Sequence, residues 1–166
     1  MDVRAEINYP TATVEQVYAL STDPKFRGAV CEATRALDYD VDVDVHDDGT
    51  ATVTVRRTMP AEVPDFVKRF VGESLNVVQT EEWGAPDDLG QRTANLTVQV
   101  TGQPVKMTGT VATEVIGQGA RTSIRGDLKV SMPFVGKKVE PEIAKGILAA
   151  AAKEQQTANE WLGEPS

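Results

Sequence analysis

Residues 37–59 read LDYDVDVDVHDDGTATVTVRRTM. Valines at 41, 43 and 45 alternate with aspartates at 40, 42 and 44, and Val53 and Val55 resume the pattern after Asp47-Asp48-Gly49. A period of two is the mark of a strand with one buried face. A three-residue loop with Gly49 in the left-handed position joins two such strands and sets their register. It places Val43 opposite Val53, Val41 opposite Val55, and Tyr39 opposite Arg57. A loop with an even number of residues would turn one set of valines outward, so the alternation itself demands an odd loop. A hairpin of this kind has one wet face and one apolar face, and the apolar face needs a cover.

The rest of the chain supplies more strands and one obvious cover. Residues 3–9 alternate and read as a strand. Thr13 precedes VEQVYAL with Gln16 three residues on, a capping box that starts a short helix carrying Val14, Val17 and Tyr18 on one face. Asp23-Pro24 starts a second short helix that runs to about Ala33. VPDFVKRFVG has Val63, Phe66, Val67, Phe70 and Val71 at helical spacing and Lys68 and Arg69 outside, with Gly72 as its stop. A helix this short takes its order from packing, here of Phe66, Val67 and Phe70 turned inward. Strand-like runs follow at 75–83, 92–101, 104–116 and 120–131, separated by GAPDDLG, Gly102-Gln103-Pro104 and Gly117-Gln118-Gly119. The final helix starts between Val135 and Pro141, with the proline in its first turn, and ends near Leu162. At ~1.5 Å per residue it is roughly 35 Å long, enough to cross a sheet. The order is strand, two helices, six strands joined mostly by tight turns, and a long helix. That is an α+β chain with a seven-stranded antiparallel sheet, expected as one domain over 1–166.

These elements resemble the helix-grip fold of the START-like superfamily, in which the sheet curls around the C-terminal helix and a short helix pair follows the first strand. The features that carry the resemblance are TVEQVYAL, VPDFVKRFVG, the strand end VQTEEW, and PFVGKKVEPEI leading into the last helix. The chain is also similar to an uncharacterised, mostly actinobacterial family within that superfamily. The superfamily includes polyketide cyclases, plant pathogenesis-related proteins and lipid-transfer domains. The resemblance implies a cavity between sheet and last helix, without naming what fills it.

The last helix is unusual in where it is small. Ile143, Ile147, Ala150, Ala151, Glu154, Ala158 and Trp161 share one face, bulky at both ends and small in the middle. Small residues leave room for a guest, here a pocket of a few hundred Å³; they also permit close packing and favour the helix. On the sheet, Val98, Val111 and Ile124 are expected to line the floor of that space, with Gly109 and Gly126 on the same inward faces. A two-residue Gly117-Gln118 turn puts the two glycines opposite each other, where they either open the floor or let the sheet bend. Tyr39 and Arg57 share the parity of the buried valines, so both are expected to point inward or sit at the rim, with Gln79, Glu81 and Trp83 expected to do likewise. An inward Arg57 needs a partner, and Glu154 is the candidate. Residues 63–72 are expected to form either a lid, with Phe66 and Phe70 touching the guest, or a fixed plug.

Several functions are disfavoured. Asp and Glu number 25 against 17 Lys and Arg, for a formal net charge of −8, which argues against nucleic acid and stable membrane association. The single cysteine, Cys31, allows no internal disulfide. MDVRAEINYP has no apolar run, so the expected location is the cytoplasm. His46 sits beside a turn and far from Cys31 in sequence. Asp44-x-His46-x-Asp48-Gly49 fails as a calcium loop, because its twelfth position is Val55 and its third is an imidazole. No GxSxG, HExxH, CxxC or phosphate-cradling glycine loop occurs, so no catalytic residue, metal or cofactor is assigned. The leading expectation is a binding or carrier protein for a hydrophobic or amphiphilic small molecule. The alternatives are a cyclase or isomerase using Tyr39, Arg57 and Glu81 as acid–base groups, or a protein-interaction module binding in the groove beside the last helix. No feature sets an oligomeric state.

Overall fold

The structure, a computed structural model, describes residues 1–163. Its elements are β1 (Asp2–Tyr9), α1 (Val14–Ser21), α2 (Pro24–Ala33), β2 (Asp38–Val45), β3 (Ala51–Pro60), α3 (Asp65–Val71), β4 (Ser74–Trp83), β5 (Arg92–Val100), β6 (Val105–Ile116), β7 (Gly119–Val130) and α4 (Gly136–Leu162). Seven antiparallel strands form one sheet in the order β1-β7-β6-β5-β4-β3-β2. Strands β2 to β7 follow one another as neighbours, while β1 joins the far edge beside β7. The chain therefore crosses the sheet between β1 and β2, and α1 and α2 make that crossing. This is a helix-grip, START-like fold, with the sheet curled around α4.

Local signals place the elements. The Thr13 hydroxyl accepts from the Gln16 backbone N–H at 3.1 Å, and Gln16 Oε1 accepts from the Thr13 N–H at 2.9 Å, so the capping box forms. Asp23 caps α2 by accepting from the Lys25 N–H at 2.9 Å, with Pro24 as first helical residue. The β2–β3 register pairs Val43 with Val53, Val41 with Val55 and Tyr39 with Arg57, as the odd loop requires. The β6–β7 turn is Gly117-Gln118, with Gly117 at φ +58°, and Gly109 faces Gly126 across the hairpin.

Two details differ from the sequence reading. Helix α4 begins at Gly136, the early end of the expected window, so Pro141 lies in its second turn rather than its first. Proline has no N–H, so the Lys137 carbonyl lacks its intrahelical donor there. In α3 the inward row is Val63, Val67 and Val71. Val67 is fully buried and Val71 is buried, whereas Phe66 and Phe70 are each 41% exposed. Both rows are spaced by four, but the phenylalanine row lies about 100° round the helix, on its flank.

Helix α4 packs on β1, β7 and α2. Glu140 ties its start to the sheet by accepting from the Val130 N–H at 3.0 Å. The interior holds two apolar clusters. The larger gathers Val53, Val55, Leu96, Met107, Val111, Leu128 and Val139, and the smaller gathers Ile7, Val17, Phe26, Val30 and Ala158. Ile124 touches both.

Candidate functional site

Where the two clusters meet under α4, the interior is charged. Helix α2 turns Phe26, Arg27, Val30 and Cys31 inward, so Arg27 enters among apolar neighbours. Its Nε donates to the Ser21 carbonyl at 2.8 Å, and its guanidinium donates to Glu81 Oε1 at 2.5 Å. Glu81 is saturated: it also accepts from Trp83 Nε1 at 3.0 Å and from Gln79 Nε2 at 2.6 Å. These three β4 residues alternate inward with period two, which is why one carboxylate can collect both neighbours. Gln79 Oε1 in turn accepts from Arg57 at 3.3 Å, so the chain of polar contacts runs from β3 through β4 to α2.

Glu154 approaches this network from α4. Its carboxylate lies 3.9 Å from Arg27 and makes no hydrogen bond among the described residues. The expected partner was Arg57, and the structure gives Arg27 instead. Glu81 stands level with Val53 on the neighbouring strand, and Arg57 is four residues further along β3, roughly 13 Å away. Helix α2, packed on α4, brings Arg27 to the carboxylates directly. Burial pushes the Glu154 carboxyl above its ordinary value; Arg27 opposes that shift and Glu81 adds to it. Burial works against the charge on Arg27, but Glu81 and Glu154 outweigh it and hold its pKa above the usual value.

Beside the network lies a small, partly open void of about 30 Å³, bounded by Glu81, Trp83, Glu154, Val111 and Ile124 among others. It has room for a water or two. The sequence reading expected a few hundred Å³ in this place. The glycines explain part of the difference. A Cβ on Gly109 would run into the Arg125 carbonyl oxygen, and one on Gly126 would meet the Met107 side chain at 2.7 Å. The pair serves close approach of backbone to backbone, and Met107 fills the floor.

The remaining predicted residues are distributed around this centre. Ile147 and Ala150 are half-buried on the inner side of α4, and Ala151 is buried. Val98 is half-buried between Gln79 and Met107. Tyr39 covers Gly28 of α2 and donates from its hydroxyl to Glu32 at 2.7 Å, so it closes the gap between β2 and α2. Phe66 and Phe70 lie at the end of the sheet where β3 gives way to β4, away from the network. A shallow depression of about 190 Å³ opens at β2–β4, lined mainly from the outer face by Asp38, Asp40, Arg56, Thr58, Asn76 and Val78, with Tyr39 and Arg57 beside them. Arg27 is the member of this network that sequence reasoning missed. Its signal was Cys31 four residues on, an apolar residue on the same helical row.

Relatives share the fold. A family described as a protein of unknown function, DUF2505, matches residues 3–162. The chain belongs to that family. An uncharacterised protein of Mycobacterium tuberculosis is 29% identical over 122 residues, covering 72% of this chain and 70% of its own. Among solved structures, the protein TTHA0849 from Thermus thermophilus superposes with a TM-score of 0.64 at 17% identity, covering 97% of this chain and 99% of its own. A STAR-related lipid transfer protein from Xanthomonas axonopodis gives 0.55 at 14% identity, covering 92% and 84%. At such identities the likeness is one of fold. No helix among the described residues is long and apolar enough to cross a membrane.

Proposed function

We propose that this DUF2505 protein binds a small amphiphilic molecule between the sheet and α4. The apolar part lies against Val111, Ile124 and Ile147, and the polar end lies towards Glu154 and the Arg27–Glu81–Gln79 network. One observation carries the reading: charged groups are gathered under α4 beside a void, and the Glu154 carboxyl among them has no hydrogen-bonding partner among the described residues. Purely structural charge tends to be fully satisfied, whereas a binding site keeps a polar group free to orient its ligand. A neighbour of the same fold is a lipid transfer protein, which supports the reading at the level of architecture.

The void of about 30 Å³ is small against the roughly 300–1,000 Å³ of ordinary ligand sites. Uptake therefore requires α4 or α3 to move outward, and the unliganded form is the closed one. Native mass spectrometry of the protein incubated with a total lipid extract tests the proposal. A bound species of a few hundred daltons, lost on Glu154→Leu, is the expected result. A spectrum showing the bare chain alone after incubation would overturn it.

A further inference from the structure

Arg57 is a half-buried cation without a carboxylate. Its parity on β3 turns it inward, yet among the described residues no acidic oxygen lies within ion-pairing distance of it. It donates to Gln79 Oε1 at 3.3 Å, a neutral group. The aspartates on β2 do not supply the missing charge. Asp40 points to the outer face and approaches Arg56 at 3.9 Å, and Glu32 on α2 is taken by the Tyr39 hydroxyl. Arg27, by contrast, is held by two carboxylates. A half-buried guanidinium without an anion is only partly compensated, so an anion is the partner this position lacks.

The position also fits a head group. Arg57 faces the interior from β3, and through Gln79 it connects to the network beneath α4. A molecule with its charged end at Arg57 has its remainder directed along the inner face of β3 and β4. We propose that Arg57 binds the anionic head group of the amphiphile, and that this head group is a carboxylate. This rests on the binding reading above and adds the ligand's chemical class. A guanidinium fork matches the two oxygens of one carboxylate. A phosphate monoester shares the oxyanion chemistry, but it brings a second negative charge towards Glu81 and Glu154, which repel it.

Three probes of equal chain length separate the possibilities: dodecanoate, dodecyl phosphate and dodecanol, each displacing the neutral fluorophore N-phenyl-1-naphthylamine from the full chain. In the unsubstituted protein dodecanoate binds tightest, about tenfold or more ahead of dodecanol. Arg57→Gln removes that preference and leaves dodecanol within about twofold, while Arg57→Lys keeps part of it. Equal affinity for dodecanoate and dodecanol overturns the inference and leaves the binding reading standing; this comparison needs no variant, so a poorly folded Arg57→Gln does not obscure it. An unchanged dodecanoate affinity in a folded Arg57→Gln also overturns it. Dodecyl phosphate binding ahead of dodecanoate overturns the choice of carboxylate. Failure of the fluorophore and all three probes to bind overturns the binding reading itself.

Discussion

Arg27 and Glu154 touch each other, yet their removal has opposite consequences. Without Arg27, both Glu81 and Glu154 are left under α4 with no nearby cation but the more distant Arg57. Arg27→Met is expected to cost about 3–5 kcal/mol in urea unfolding, the range for breaking a buried ion pair from one side. Glu154 is held above its ordinary value near 4.5, first by burial, so its native form binds a proton more tightly than its unfolded form. Its contribution to stability is therefore complete below that ordinary value and is lost as pH rises through the raised one. Glu154→Gln removes this loss. Thermal melts between pH 4 and 8 are expected to show the variant gaining on the parent as pH rises, and a gap that stays constant or narrows would contradict the assignment. The two glycines give a second contrast. Gly109 meets a backbone oxygen that cannot move without parting β6 from β7, whereas Gly126 meets a flexible Met107. Alanine at 109 is expected to cost about 3 kcal/mol or more, and at 126 about 1 kcal/mol, in chemical denaturation. That the glycines face each other was legible from the two-residue turn. That Met107 fills the space above them was not, because alternation gives a side chain's face and not its rotamer.

At the scale of the elements, the short helix α3 shows where periodicity stops being informative. A helix of seven residues makes two turns, and both its four-spaced rows are apolar, so the pattern alone cannot choose which is inward. The structure gives that role to Val67 and Val71. Val67→Ala is accordingly expected to cost about 2 kcal/mol, and Phe70→Ala less than about 1 kcal/mol, well below the ~3–5 kcal/mol of a fully buried phenylalanine. If α3 is the part that moves on uptake, Phe70→Ala also shifts the affinity for N-phenyl-1-naphthylamine at nearly unchanged stability. Helix α4 carries a different irregularity. Pro141 in the second turn removes a backbone bond, and Pro141→Ala is expected to restore it and raise the melting temperature, by roughly 1–3 kcal/mol in stability. Both ends of α4 lie within the window its residues define. A proline signals only that a helix starts nearby, however, and this helix tolerates one a turn further in.

For the molecule as a whole, strand order and register were largely readable, since each hairpin is set by a loop of a few residues and a period of two. Interior volume was not, because it is what remains after every side chain has been placed. Small residues on α4 are compatible with an open cavity and with a close-fitting one, and here α2 delivers Arg27 into the space the alanines leave. Ala151 is 9% exposed, so Ala151→Leu is expected to overpack and cost about 1–3 kcal/mol, and, if the proposed binding holds, to abolish uptake of the fluorophore. The arrangement that brings Arg27 there has a consequence in time. The first strand pairs only with the last, Val3 with Gly126 and Ile7 with Thr122. On a growing chain β1 and the crossing helices are made early, yet β1 waits unpaired until more than a hundred further residues have emerged. Joining β1 to β7 carries the largest loop-closure entropy in the sheet. Until that joining the smaller cluster around Ile7 and Phe26 has no floor, and the newborn protein exposes the apolar face of β1, Val3, Ile7 and Tyr9, for which a chaperone is the natural companion.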